Sequence, residues 1–348
     1  MDKALLIQVL KKEIEKSTGC TDPGAVTLAV AKATSILGEK PDQIKVAVSP
    51  NVYKNGISVG VPGTNQRGLL QAAALGIYLA EWTGEGLGLL DYVDDQIVQA
   101  AQELLKNNRV EVSYLKNAPD PLYIKAEVSN VQSRAWTVIQ GDYSKITETG
   151  RNNQILFQKP IATTEGSVDE LIHYKIGDLI ETIKGIDLEE LRFLLEDAKI
   201  NKAAAEEGIR NENAVMGAAL SGMVKEIEFP YAGMMLGKLY TAAAAEARMI
   251  GLKVPIMAIA GSGNHGITNF LGVLAAAETL KVDDTKLARA LAISSAITVY
   301  IKGHIKRMTA FCGCSVAAAT GVAAATVYLL DGSYTDMVNA MHSVLGAL

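Results

Sequence analysis

The sequence predicts an α+β protein: a mixed α/β lobe joined to an all-helical lobe rich in alanine and glycine. Three observations carry this. Apolar residues alternate with polar ones around Ile44–Val61 and again from Val110 to Val138, the period of strands. Elsewhere they recur at helical spacing. Beyond residue 200 small side chains dominate, in AAAEEG, GAALSGM, TAAAAEAR, VLAAAETL, ALAISSAI and SVAAATGVAAA, a composition that lets helix axes approach closely.

Taken in order, residues 1–38 read as two helices broken by the turn-rich STGCTDPG. The second, AVTLAVAKATSIL, is so apolar that it is expected to be buried. Ile44, Val46 and Val48 then alternate, as do Ile57, Val59 and Val61, and SPNVYKNG between them reads as a turn containing Pro50 and Asn55–Gly56. From 67 to 107 the pattern is helical and interrupted by glycine. From 109 to 158 it is strand-like, through Val110, Val112 and Tyr114, then Ile124, Ala126 and Val128, then Trp136 and Val138. Helices return near 167, and Asp187 reads as an N-cap with Glu190 three residues on and Leu191, Leu194 and Leu195 behind it. No internal repeat of fixed period is present. The expected organisation is a pair of amino-terminal helices (1–40) packed on the helical lobe, a mixed α/β lobe (41–198) and a helical catalytic lobe (199–348).

With 348 residues, 49% hydrophobic and 20% charged, the chain is long enough for a substantial core. Its net charge of −5 and sparse Lys11–Lys12 and Lys302–Arg307 argue against nucleic acid as a partner. The amino terminus, MDKALLIQVLKKEIEKS, intersperses Leu6, Val9, Leu10 and Ile14 with charges and does not read as a signal peptide. The longest apolar run, between Cys314 and Asp331, falls short of the ~20 residues of a membrane span. Three cysteines in such a chain point to a cytoplasmic, reducing location where thiols serve metal or catalysis, with inert buried thiols as the alternative.

Four segments place polar, glycine-flanked residues in apolar surroundings: GCTDPG (19–24), SPNVYKNG with VPGT (49–56 and 61–64), GSGNHG (261–266) and KRMTAFCGCS (306–315). Cys20 precedes a helix expected to begin at Pro23, where the helix dipole favours a thiolate. Cys312 and Cys314 form a C-x-C pair. On a regular helix residues two apart diverge by ~200°, so one ligand from the pair is expected unless Gly313 makes the backbone irregular. Zinc is a poor fit, since no second C-x-x-C or H-x₃₋₅-H is present. GSGNHG matches G-x-G-x-x-G, but no βαβ alternation follows it, against a dinucleotide fold. It is also similar to the asparagine loop of pyridoxal-phosphate lyases, whose Schiff-base lysine context and phosphate glycine run are absent. What remains is a glycine-rich turn opening a helix, suited to a carboxylate, or a tight turn capped by Asn264. SPNVYKNG and VPGT read as hairpin connections on turn chemistry, yet Lys54, Asn51 and Asn55 supply a cation and amides there. His173 and His342 read as surface or structural; His265 and His304 lie in the motif segments and are candidates for acid–base work.

Together, GCTDP, SPN-x₂-KNG followed by VPGT, A-x-A-R-M-x-G (Ala245 to Gly251), GSGN-x-GIT and FCGC-S resemble, in order and spacing, the L-cysteine desulfidase family, related to the alpha chain of iron–sulfur L-serine dehydratases. The resemblance implies a 4Fe–4S cluster on three cysteines with one open iron, Cys20 matching the first ligand and Cys312 the second, with Cys314 an adjacent candidate. It implies cleavage of L-cysteine with water to pyruvate, ammonia and hydrogen sulfide. The open iron would be a Lewis acid. The GSGNHG turn and Lys54 would hold the carboxylate, with Asn51, Asn55, Thr64, Ser262, Gly263 and Asn264 as substrate contacts and His265 or His304 as base. Members of that family continue for several dozen residues past this chain's end, through a G-M-I-C-D-G-A-like segment with the third ligand, so the chain is expected to be truncated before it. The readings beside the desulfidase are an iron–sulfur L-serine dehydratase and a cluster-less amino-acid-binding relative without activity. The expected partner is a small amino-acid substrate, L-cysteine or L-serine, and a homo-oligomer is compatible with this.

Overall fold

The computed structural model describes residues 1–159, 167–224, 227, 231–305 and 308–348. It is α+β, as the sequence predicts. In chain order the elements are α1 (Lys3–Glu13), β1 (Ile14–Thr18), α2 (Thr21–Leu37), β2 (Gln43–Val48), α3 (Pro50–Gly56), β3 (Gly60–Val61), β4 (Gln66–Arg67), α4 (Gly68–Gly76), a kinked 3₁₀ stretch (Ala80–Tyr92) and α5 (Asp95–Lys106). Five strands follow: β5 (Val110–Tyr114), β6 (Tyr123–Ser129), β7 (Arg134–Gln140), β8 (Ile146–Arg151) and β9 (Gln154–Gln158). Then come α6 (Ser167–Glu170), α7 (Ile176–Lys184), α8 (Leu188–Arg210), α9 (Met216–Val224), α10 (Tyr231–Met249), β10 (Pro255–Ile259), α11 (Gly263–Leu280), α12 (Asp284–Ile305), α13 (Ala319–Leu329) and α14 (Tyr334–Gly346).

The chain divides into two compact units, and the division differs from the expected one. A sheet unit comprises Thr18–Thr164 and Arg248–Lys253; a helical unit comprises Met1–Ser17, Glu165–Ala247 and Val254–Leu348. The reading of 1–40 as a pair of helices packed on the helical lobe is thus corrected. Only α1 belongs there, its Leu6, Val9 and Leu10 sharing one core with Leu179, Ile183, Leu191 and Leu194 of α7 and α8. Helix α7 and the part of α8 up to residue 198 lie in the region assigned from sequence to the mixed lobe. Helix α2 stays with the sheet because it is apolar almost all round: Ala25, Val26, Leu28, Ala29, Val30 and Ala33 are all fully or nearly fully buried.

In the sheet unit a six-stranded sheet runs β5-β2-β6-β7-β8-β9, with β2 parallel to β5 and antiparallel to β6. The alternation seen in the sequence is the pleat: Ile124, Ala126 and Val128 of β6 are buried while their neighbours are part-exposed. Helix α2 crosses α4 closely, since a β-carbon on Gly76 would stand 2.6 Å from Val30 Cβ. At the same crossing the Thr27 hydroxyl donates to the Ala72 carbonyl at 2.9 Å.

SPNVYKNG is a helix, not a turn. Ser49 is its N-cap, its Oγ accepting from the Val52 N–H, and Pro50 occupies the first turn, where its missing N–H costs nothing. The 57–61 alternation shrinks to the two-residue β3. Strand β1 stands where the sequence pattern places the end of the first helix and the start of the STGCTDPG break; it pairs with β10 in a two-stranded sheet. Asp187 does cap α8 by position, with the Glu190 N–H on its carbonyl, but its side chain makes no capping bond.

In the helical unit Asn201 of α8 is fully buried and treats β10 as a neighbouring strand would. Its amide donates to the Met257 carbonyl at 3.2 Å and its Oδ1 accepts from the Met257 N–H at 2.7 Å. Among the described residues no helix is long and apolar enough to cross a membrane.

Candidate functional site

The motif residues assemble in two places, one in each unit. In the sheet unit, GCTDPG, SPNVYKNG, VPGT and the Arg248–Lys253 segment interlock. A β-carbon on Gly60 would stand 2.3 Å from the Ile250 carbonyl carbon and 2.4 Å from the Gly251 nitrogen, so only glycine admits that backbone. A β-carbon on Gly19 would meet Pro62 Cγ at 2.0 Å.

At the centre lies Asp22, 3% exposed. Cys20 donates its thiol proton to Asp22 Oδ2 at 3.5 Å, the Tyr143 hydroxyl donates to Oδ1 at 3.3 Å, and the Asn55 side chain also hydrogen-bonds the carboxyl. Burial pushes the Asp22 carboxyl up to about 6 against these hydrogen bonds and the charge of Arg248, itself 3% exposed. Cys20 is the N-cap of α2, which starts at Thr21, ahead of the expected Pro23. The anticipated thiolate is nonetheless not found: burial, with the Asp22 charge adding, pushes the thiol up to about 12. Desolvation outweighs the helix dipole here.

Asn51 and Asn55 are half-buried one turn apart on α3, so they share a face; Lys54 beside them is exposed. Thr64 is buried and its hydroxyl closes the VPGT turn, donating to the Val61 carbonyl at 2.7 Å and accepting from the Gln66 N–H at 3.0 Å.

In the helical unit, β10, the GSGNHG turn and α11 form a strand–turn–helix. Gly261 has φ +75° and Ser262 is the N-cap of α11, although its side chain makes no capping bond. Gly263 and Asn264 form the first turn. Gly266 permits the helix to press on β10, as a β-carbon there would stand 1.8 Å from the Met257 oxygen. No dinucleotide fold results, because β10 pairs with β1 alone in its sheet.

His265 is 5% exposed, and its Nδ1 lies 3.2 Å from the Ile259 carbonyl oxygen. A carbonyl only accepts, so Nδ1 carries the proton and the neutral ring's lone pair falls on Nε2. That atom faces the cysteine turn: a β-carbon on Gly313 would stand 2.1 Å from it. His304, near the end of α12, is exposed and packs edge-on against Tyr300 at 4.8 Å between ring centres. His173 and His342 are exposed.

Lys306 and Arg307, at the start of the KRMTAFCGCS segment, lie outside the described residues. Its cysteines do not diverge as on a regular helix. Cys312 precedes the helix, Gly313 is the N-cap, and a π-helical turn, Cys314–Ala318, leads into α13. The Cys314 side chain therefore reaches the Cys312 sulfur. Cys312 is exposed, and its thiol is pulled down to about 5 by the Cys314 side chain, with the backbone of Cys314 and Ser315 and the Ser315 hydroxyl adding. A thiolate backed by hydrogen bonds is the donor that iron takes. The pair fits thiolate ligation in its chemistry, while among the described residues no group of three or more His, Cys, Asp or Glu side chains is gathered for a metal ion.

Sequence reasoning missed Asp22, Tyr143 and Arg248 as individuals. Asp22 and Arg248 stood inside quoted motifs; Tyr143, in the β7–β8 connection, carried no signal.

The family model for the serine dehydratase alpha chain matches residues 85–348. Proteins of that family usually depend on iron–sulfur groups. The chain is similar to a UPF0597 protein of Methanocella arvoryzae, 48% identical over all of this chain and 81% of the relative. It is similar as well to UPF0597 proteins of Clostridium tetani and Alkaliphilus oremlandii, each 34% identical over 99% of this chain and 81% of the relative.

Proposed function

We propose, given that this chain belongs to the serine dehydratase alpha-chain family, that it is an amino-acid lyase converting L-cysteine and water to pyruvate, ammonia and hydrogen sulfide. The observation that carries the reading is the contact of His265 with Gly313, which joins the GSGNHG turn to the two thiols of the cysteine turn.

The residues divide the work. The first turn of α11, Gly263 to His265, directs backbone N–H groups outward, as helix N-termini do, and binds the substrate carboxylate with Ser262 and Asn264 at its edge. His265 Nε2, fixed as the basic nitrogen by the Ile259 carbonyl, takes the α-proton. A 4Fe–4S cluster would supply a Lewis acid for the leaving sulfur, with Cys312 and Cys314 of this turn as candidates among the three thiolates that would hold it. His304, exposed on α12, is the weaker choice of base.

The matching family's name favours L-serine as a second substrate, with water leaving in place of sulfide. The test is anaerobic reconstitution with iron and sulfide, followed by pyruvate and sulfide assays on both amino acids. Pyruvate from L-cysteine should exceed that from L-serine, and His265→Gln should lower kcat ~10²-fold or more. Iron-loaded protein that forms pyruvate from neither substrate would sink the proposal, as would a His265→Gln variant of full activity.

A further inference from the structure

Helices α11, α12 and α13 meet through alanine: Ala275 and Ala277, Ala288, Ala292 and Ala296, Ala324 and Ala325 are all buried between or beside them. Such surfaces have low ridges, and apolar contacts alone specify the sliding register between them weakly. Among these alanines sits a closed polar network.

Asn269 of α11 is fully buried. Its Nδ2 donates to Ser294 Oγ at 2.7 Å and to Thr298 Oγ1 at 2.8 Å, and its Oδ1 accepts from Ser295 Oγ at 3.1 Å. Thr298 Oγ1 in turn donates to the Ser294 carbonyl at 2.8 Å. Gly321 of α13 lies against the same groups: a β-carbon there would stand 2.4 Å from the Ser294 oxygen and 2.9 Å from Thr298 Oγ1.

A one-turn slip of α11 along α12 moves it ~5.4 Å and breaks all three of the Asn269 bonds. A buried polar residue that admits a single register is the best-attested use of such groups. His265 stands one helical turn before Asn269, ~6 Å along α11. Cys314 opens the π-turn seven residues before Gly321. The network therefore underlies both halves of the contact between His265 and the cysteine turn.

We propose that Asn269 is a positioning residue: with Ser294, Ser295 and Thr298 it locks α11 on α12 and so sets His265 against the Cys312–Cys314 turn. This rests on reading that turn as the lyase site.

The test replaces the network by apolar groups of similar shape, Asn269→Leu with Ser294→Ala and Thr298→Val. Removing Asn269 together with two of its three partners leaves only the Ser295 hydroxyl without its acceptor, and a helical serine can turn to a carbonyl of the preceding turn, so the urea midpoint should hold or rise. Position is read without activity, by the yield of a short bis-thiol cross-link between Cys312 and a cysteine introduced as His265→Cys, in a Cys314→Ser background. The yield should fall at least ~5-fold, and in the chain with His265, Cys312 and Cys314 intact the triple substitution should lower kcat far more than it raises KM, since a ~1 Å misplacement costs ~10²-fold.

An unchanged yield overturns the proposal. So does a yield that falls only together with the midpoint, since the network would then merely hold the core. Should the triple variant fail to fold, Ser295→Ala alone removes one bond and should reduce the yield about twofold; no reduction overturns the proposal. Full cross-linking in the His265→Cys, Cys314→Ser background, together with no pyruvate from the wild-type protein, refutes the lyase reading and leaves the positioning claim to the cross-link.

Discussion

The imidazole of His265 lies so close to Gly313 that a β-carbon on the glycine would stand 2.1 Å from Nε2 and 2.8 Å from Cε1. Gly313 has φ −63°, a conformation open to any residue, so it is glycine for space and not for backbone freedom. Gly313→Ala should therefore displace the ring or the turn, costing ~1–3 kcal/mol in urea unfolding and at least ~10-fold in pyruvate formation. Adding His265→Ala should restore the stability and leave activity lost. A Gly313→Ala protein of unchanged stability and rate would contradict the packing described.

Tyr143 and Asp22 give a second expectation. Tyr143→Phe removes the 3.3 Å hydrogen bond to a buried carboxyl and should cost ~1–2 kcal/mol. In a double-mutant cycle with Asp22→Asn the losses should be non-additive by ~0.5 kcal/mol or more. Strict additivity would mean that the two side chains do not interact.

The three thiols should react in a set order. Cys312 is exposed and lowered to about 5, whereas Cys20 is buried and raised to about 12. In metal-free protein at about pH 7, iodoacetamide should modify Cys312 first and Cys20 only on unfolding, as peptide mapping over time would show. Early labelling of Cys20 would refute its burial.

Asp197 of α8 sets a pH dependence. Burial raises its carboxyl from 3.8 to about 6, with the charge of Glu196 adding. The folded state then holds the proton more tightly than the unfolded one, so this carboxyl's stability contribution is complete below about pH 4 and is lost as pH rises through about 6. Asp197→Asn should be more stable than wild type by ~1 kcal/mol at about pH 7.5, after discounting for partial exposure, and equal to it near pH 4. Urea midpoints that differ equally at both pH values would refute this assignment.

Much of the fold was legible because its signals are local. The period-two alternation of Ile124, Ala126 and Val128 became β6, and the all-round apolarity of AVTLAVAKATSIL buried α2. SPNVYKNG misled because proline and asparagine–glycine serve both turns and helix ends. The Ser49 cap and Pro50 at the first turn decide for helix only when a core lies behind Val52, which is fully buried.

The motifs by themselves determined which residue types are present for chemistry: two thiols two residues apart, a histidine in a glycine-rich turn, and amides beside a lysine. Tertiary structure decided what those groups are. Burial, a property of distant neighbours, made Cys20 a thiol although a helix begins at it, and a helix that starts only after Cys312 let the Cys314 side chain reach it where regular helix geometry would have parted them. Spacing is written along one chain, whereas desolvation and side-chain contact depend on segments far apart in sequence, and so Tyr143, Arg248 and Asn269 emerged only once the chain was folded.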